Sequence, residues 1–578
     1  MSDGPRPRAL AFAFAAALAT LAAVALVRAL RRPRAVNAPW PMITVDGRRR
    51  AEGCLRCHAD TRGLGSAHDP AVMGCSPCHL GDPGSAEKSV AHRGMEVLSG
   101  DLATVDRTCG RVSCHPVESA RVQRSLMAGA PGILAVDRFA FGESADPTPR
   151  PEDDLRTLSP AAPARSPAED HTRRLCASCH LAARKHGPGD HGFDARGGGC
   201  TACHLAPPAL RGARSGHRAE GMLHPDVSAE VSPARCRGCH ARSGRISLSY
   251  EGEVELEAAD PRVQGRLPDG RPLGRAPADV HAQAGLNCMD CHSERDLMGD
   301  GGDHAFAAEA VGVTCDDCHA PRERPVDPDA EAVATRLRAA WVRRGRAPLP
   351  TTARPMVTAR GVPLWRTDRV TRTLWRADDG AARAVPPRSD AAHHALRGHE
   401  RLDCQSCHSV WTPRCGSCHT TYDPAGRDVD HLTNAPRPGA WREVAGANGF
   451  GPPVLLVNGA GRIAPFTEGM TLTIDGLPRP VQRVLWAPLD PHTTGPARAC
   501  ASCHPDGPLD AVYPAAGETT RPRARTLDAD ERRRVAAVGR CVPCHGRYDD
   551  AVYRDFAASV GRASDRARRA GDPHATER

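Results

Sequence analysis

CQSCHSVWTPRCGSCH, residues 404–419, places four cysteines and two histidines within sixteen positions. Such density serves to ligate zinc, to build disulfides, or to carry something larger. A census of the 578-residue chain separates these uses, because none of its 24 cysteines stands alone. Eleven pairs read C-x-x-C-H. The first four are Cys54, Cys57 and His58; Cys75, Cys78 and His79; Cys176, Cys179 and His180; and Cys200, Cys203 and His204. The next four are Cys236, Cys239 and His240; Cys288, Cys291 and His292; Cys315, Cys318 and His319; and Cys404, Cys407 and His408. The series ends with Cys415, Cys418 and His419; Cys500, Cys503 and His504; and Cys541, Cys544 and His545. One more pair, CGRVSCH, is stretched to Cys109, Cys114 and His115.

A structural zinc site draws four tetrahedral ligands from separated pairs and has no use for a histidine directly after every second cysteine. A disulfide framework leaves those histidines unexplained and belongs to far shorter chains. The spacing suits c-type haem instead: two thioethers to the porphyrin vinyl groups, with the next histidine placed beneath the iron as axial ligand. The chain thus resembles a multihaem cytochrome c, with twelve covalently bound haem c groups between Cys54 and His545. The short step from Cys404 to Cys415 is expected to set two porphyrins nearly on top of each other. SGRISLSYEGE (243–253) with DVHAQAGLNCMDCHSERDLMGDGGDH (279–304), and GHERLDCQSCHSVWTPRCGSCHTTYD (398–423), are also similar to cytochromes of bacterial respiratory and metalloid (selenite and tellurite) reduction clusters.

The resemblance implies export, since haem is attached to such motifs outside the cytoplasm. Residues 9–27, ALAFAFAAALATLAAVALV, are apolar apart from Thr20, with Arg6 and Arg8 before them and Arg28, Arg31, Arg32 and Arg34 after. That length is enough to cross a bilayer and exceeds the usual core of a signal peptide. The expectation is a protein on the periplasmic side of the bacterial inner membrane, anchored by this helix. The alternative is a soluble periplasmic protein left after signal cleavage.

Only 4% of residues are aromatic, against 55 glycines and 52 prolines, a poor recipe for conventional cores. The expected fold is therefore a mostly α/irregular multihaem cytochrome c. Short helices and loops wrap stacked porphyrins that supply the apolar interior themselves, with small β inserts and the N-terminal transmembrane helix. The formal charge of +9 rests on arginine, since Lys88 and Lys185 are the only lysines. Twelve ferric haems, each about +1 at the core and −2 on its propionates, bring the total to roughly −3. Arginines pairing with propionates account for the basic excess better than nucleic acid, which is excluded as a partner.

The motifs suggest a segmented chain: anchor or signal at 1–34, three haems in 35–130, a flexible linker at 131–168, and five haems in 169–325. A helix and β insert over 326–392 and four haems in 393–578, with a further β insert near 453–486, complete it. The stretch 326–341 reads as a helix, with Asp327 at its N-cap and Pro328 at its first position. MVTARGVPLWRT and VTRTLWRADDG read as a two-strand element. ISLSYEGEVELE (246–257) alternates as a half-buried strand.

What occupies the sixth position of each iron separates a carrier from an enzyme. Removing the motif histidines from the 27 leaves fifteen. The candidate distal set is His68, His92, His171, His191, His217, His224, His281, His304, His394, His399, His431 and His492, with His186, His393 and His574 as spares. Met298 is the one methionine placed to compete, a ligand that raises the potential. A bis-histidine iron is saturated and exchanges only electrons. The expected function is a relay between a membrane or quinol-linked donor and a terminal reductase or outer-membrane acceptor. The alternative is an oxidoreductase reducing nitrite, sulfite, tetrathionate or selenite at one five-coordinate haem. No motif carries lysine in place of its histidine, the change that marks the catalytic haem of ammonia-forming nitrite reductases.

Overall fold

Asp46 and Gly47, both at positive φ (51° and 71°), turn the first hairpin, Met42–Val45 with Arg48–Ala51. Asp-Gly suits such a turn because both central residues sit in the left-handed region. The computed structural model of the chain describes residues 40–569 apart from 159–161, 186–195, 206–222, 243–244, 322–327, 344, 352, 389–391, 447, 468–469 and 477–478. It divides into two units, residues 1–97 with 208–227, and residues 98–207 with 228–578.

In the first unit the hairpin precedes the short helices Cys54–Cys57, Pro70–Met73, Ser76–His79 and Lys88–Ala91. Ile43 and Val45 bury on one side of it. Glu52, fully buried, accepts a hydrogen bond from Ser76 Oγ at 2.6 Å, which ties the first two motifs together. Asp69 caps the Pro70–Met73 helix by accepting from the Ala71 amide at 2.9 Å, with proline at the first helical position.

The second unit contains a five-stranded mixed sheet, in the order Ala435–Ala445, Ser417–Asp430, Met470–Asp475, Val481–Trp486, Glu518–Thr519. Pro436 and Pro438 lie on its edge strand, where a missing amide breaks no ladder. Phe139, Ala140, Phe141 and Ala168 bury against Trp441, Leu472, Ile474 and Leu485 of this sheet. A hairpin, Val454–Val457 with Ile463–Phe466, is buried on both faces. Val454 and Leu456 meet Phe466 and Trp486, whereas Leu455 and Val457 meet Leu509, Tyr513 and Leu527. Period-two alternation places each set on its own side.

These findings correct the expected fold class. Strand makes up 20% of the chain beside 32% helix, distributed over several sheets. The core is built from side chains such as Phe139, Trp441 and Phe466, so the β structure forms a scaffold in its own right. Residues 9–27 lie outside the described residues. Among the described residues no helix is long and apolar enough to cross a membrane, and the transmembrane element is withdrawn from the fold class.

Nor do the described residues of 131–168 form a flexible linker. Helix Pro131–Ala140 buries Leu134, Ala135 and Phe139, and the turns at Pro151–Asp153 and Leu155–Thr157 bury Asp153 and Leu155. Arg138 pairs with Asp153 at 3.0 Å, so acid and proline that read as a spacer instead fasten a helix. The three-haem segment 35–130 also divides, since Cys109 hydrogen-bonds Cys200 within the second unit. Of 246–257, Ile246–Tyr250 is helical and only Glu253–Glu255 is strand. The region 326–392 holds helix Pro328–Arg343 and, among the described residues, five two- or three-residue strands between Met356 and Ala384. Asp327 lies outside the described residues.

Candidate functional site

Residues i, i+3 and i+4 of a helical turn share one face, so a wound C-x-x-C-H projects both thiols and its imidazole together. The turn closes when the histidine amide donates to the first cysteine's carbonyl. That bond spans 2.9 Å at His58, His79 and His545, 3.0 Å at His204, and 2.8 Å at His292 and His504. The second cysteine tightens the same turn: its amide donates to the first cysteine's carbonyl at 3.1 Å from Cys78 to Cys75 and at 3.2 Å from Cys544 to Cys541. Cys78 is half-buried there, whereas Cys544 is exposed. The motifs ending at His240, His319 and His408 lie within helices Pro233–His240, Cys315–His319 and Cys404–His408. At His180 the turn is tighter, closing on Ala177 at 3.1 Å. The stretched motif ends identically: the His115 amide donates to the Cys109 carbonyl at 3.0 Å, so the two extra residues before Cys114 bulge within the loop.

The motif of Cys415, Cys418 and His419 departs from this geometry. It runs through strands Thr412–Cys415 and Ser417–Asp430, pairing Cys418 with Leu472 and His419 with Thr473. An extended chain separates residues three apart by about 10 Å and alternates their faces. His419 Nε2 instead contacts Asp475 Oδ2 at 2.7 Å. In this conformation the segment does not fit a porphyrin, and the expected face-to-face stacking of groups at Cys404 and Cys415 is not supported.

Among the described residues, six motif histidines face a candidate distal histidine. Their ring centroids are 6.3 Å apart for His58 and His92, 5.7 Å for His79 and His224, 6.0 Å for His319 and His281, and 6.2 Å for His292 and His492. His408 and His394 are 6.0 Å apart, as are His504 and His399. An iron held by two imidazole nitrogens at about 2 Å, each about 1.2 Å from its ring centre, would space the centroids at most about 6.4 Å. The gaps of 6.0 to 6.3 Å therefore fit one metal ion between two rings, whereas His79 and His224, with Nε2 atoms 3.4 Å apart, must part slightly to admit one.

The opposite ring nitrogens are held as ligation requires. A carbonyl oxygen accepts only, so each Nδ1 that meets one must carry the proton and leave Nε2 with a lone pair. His79 Nδ1 donates to Glu96 O (2.8 Å), His204 to Ser228 O (2.9 Å), His319 to Pro386 O (2.8 Å), His408 to Gly495 O (3.0 Å) and His504 to Val535 O (3.1 Å). His224 and His492 do the same to Pro225 O (2.5 Å) and Asp490 O (3.1 Å). Carboxylates take this role at His281 with Asp279 (2.8 Å), His292 with Asp296 (2.8 Å) and His545 with Asp550 (2.9 Å). Burial lowers the pKa of His224, His240, His319, His399 and His504, and holds His180 at about 4, which favours neutral rings.

The remaining candidates are placed differently. Burial opposes charge on His171, but Asp137 at Nδ1 (2.8 Å) and Glu443 near Nε2 (3.6 Å) outweigh it and raise its pKa to about 10. A protonated ring clamped between carboxylates offers no lone pair. His304 turns Nε2 to Asp300 at 3.0 Å. His68 is half-buried at the end of the turn Ser66–His68, whereas His431 is buried, its amide donating to Arg173 O at 3.0 Å. His191, His217, His186 and His574 lie outside the described residues. Met298 packs with Val122, Leu181 and Ala202.

Thiols of different motifs also touch. Hydrogen bonds join Cys54 to Cys75 in the first unit. In the second they join Cys109 to Cys200, Cys179 to Cys239, Cys236 to Cys288 and Cys315 to Cys404. Within each pair one thiol is stabilised as the acceptor and the other held protonated: Cys179 and Cys288 fall to about 6, whereas Cys239 and Cys236 rise. Weaker electrostatic coupling links Cys203 to Cys236, Cys318 to Cys291, and Cys503 to Cys407. The motifs thus follow one another from Cys109 through Cys200, Cys236, Cys288, Cys315 and Cys404 to Cys500, with Cys176 beside Cys236.

The sequence reading passed over the residues that brace these turns. Asp290, inside CMDCH, accepts from the Asn287 amide (2.8 Å), the Ala377 amide (2.7 Å) and Arg366 Nη1 (2.5 Å). Asp317, inside CDDCH, accepts from the Thr314 amide at 2.8 Å and from the Ala359 amide. The visible signal was an acid three residues after a polar N-cap residue.

Helix Ala529–Gly539, which supplies the Val535 carbonyl to His504, is braced by Glu531. Its carboxylate accepts from Arg525 (2.6 Å), Arg401 (2.7 Å) and the Asp528 amide (2.8 Å), and the Arg525 bonds foremost lower its pKa to about 2. A depressed carboxylate stabilises the fold fully above its unfolded value near 4.3 and loses that contribution as pH falls toward 2. Glu531→Gln, which keeps the cap but not the charge, is expected to melt earlier than the parent at about pH 6 and alongside it near pH 2. Thermal unfolding at the two pH values checks this.

No family model, curated protein or solved structure matches this chain.

Proposed function

We propose that the chain is a multihaem c-type cytochrome, working outside the cytoplasm as an electron relay between a membrane or quinol-linked donor and a terminal reductase or outer-membrane acceptor. The observation that carries this reading is the set of six histidine pairs facing across gaps of one metal ion. When bound, haem would supply reversible one-electron exchange at iron. The protein's part is to hold the imidazoles, through Nδ1 acceptors in five of the six pairs, so that no substrate enters. Touching thiols of successive motifs support a close-spaced path from Cys109 toward Cys500.

The intact mass of protein matured with the haem-attachment machinery tests the cofactor. It is expected to exceed the bare chain by at least eleven haem additions, one for each wound motif. A twelfth requires Ser417–His419 to leave its pairing with Thr471–Thr473. Fewer than eleven, or a colourless product, overturns the proposal. Low-spin ferric spectra support the relay, and an added oxyanion that perturbs a high-spin signal in the parent protein would replace it with the reductase reading.

A further inference from the structure

Opposite His408 the structure presents two imidazoles. His393 and His394, the last residues of a single turn at Ala392–His394, each place their ring centroid 6.0 Å from that of His408 and 4.1 Å from one another. Nitrogens of all three rings lie within 4.8 Å of one another. His408 is fixed, because its Nδ1 donates to the Gly495 carbonyl at 3.0 Å. An iron in a porphyrin has two axial positions, and with His408 in one, a single position remains for two claimants.

Resting on the haem reading above, we propose that His393 and His394 are alternative distal ligands to the iron attached at Cys404 and Cys407, giving it an exchangeable sixth ligand. Among the described residues, the five other facing pairs each show one distal ring. The two claimants differ in surroundings. His393 is half-buried with its ring 5.4 Å from that of Tyr548, whereas His394 is exposed. Solvent access around an axial ligand tunes the reduction potential, so exchanging one for the other gives this iron two potentials. Its position is apt for such control. Cys404 touches Cys315 on one side, and Cys407 couples to Cys503 on the other.

Three variants of the haem-loaded full chain test this: His393→Ala, His394→Ala and the double substitution. Each single variant is expected to keep the parent's low-spin ferric spectrum and carbon monoxide stoichiometry, because the remaining histidine takes the position. The double variant is expected to gain a high-spin signal and about one equivalent of carbon monoxide per reduced chain over the parent, with added imidazole restoring the low-spin spectrum. Restoration by imidazole separates loss of a ligand from misfolding. An open iron in either single variant, or an unchanged double variant, overturns the proposal. A colourless parent protein would instead sink the haem reading itself.

Discussion

His492→Gly is expected to convert one low-spin haem per chain into a high-spin one that binds carbon monoxide when reduced, while leaving the fold of the second unit in place. His492 faces His292 at 6.2 Å with the rings 20° from parallel, and its Nδ1 donates to Asp490 O at 3.1 Å. It sits at φ 52°, in the left-handed region that costs a side chain about 1 kcal/mol. Glycine adopts that conformation without penalty, so the turn survives the loss of the ring. The neighbouring anchors do not depend on the imidazole: Thr493 Oγ1 donates to Trp411 O (2.6 Å), and the Thr494 amide to Asp279 (2.6 Å). Paramagnetic resonance and carbon monoxide titration against the parent check the result. An unchanged spectrum would remove His492 from the ligand set and weaken the case for every facing pair.

The second large effect is expected at Asp290, which acts on stability first. Its carboxylate is wholly buried against Arg366, itself 9% exposed, at 2.5 Å. Asp290→Ala leaves a guanidinium buried without its counter-charge, which costs about 3–5 kcal/mol. The same change frees the Asn287 and Ala377 amides, so the Cys288–His292 turn loses its hold on the strand Thr373–Trp375. The parent should therefore melt well above the variant. Adding Arg366→Met is expected to recover part of the loss by removing the unpaired charge. A variant that melts with the parent would show that the ion pair contributes nothing.

The candidate site was legible in part. The C-x-x-C-H triplets are local patterns, and one turn of helix turns that spacing into a shared face, so sequence located eleven wound turns, including the stretched one at Cys109. It misjudged Cys415–His419, because a strand needs partners that sequence does not show, and here Met470–Asp475 and Ala435–Ala445 supply them. It took 131–168 for a linker for a related reason. Proline and acid look the same in a spacer and in a helix start paired to Arg138, and only the sheet beneath Phe139 distinguishes them. His171 misled because its position five residues before Cys176 resembles a ligand's, whereas its chemistry is set by Asp137 and Glu443, distant in the chain.

By itself the sequence determined where the paired cysteines lie and which histidine accompanies each pair, since both follow from short spacings along the chain. Only the tertiary structure decided which candidate distal histidine meets which motif and in what order the motifs touch. His79 and His224, for instance, are separated by 145 residues. No periodicity spans that distance, and most of the Nδ1 acceptors that orient the rings are backbone carbonyls, which every residue possesses and none advertises.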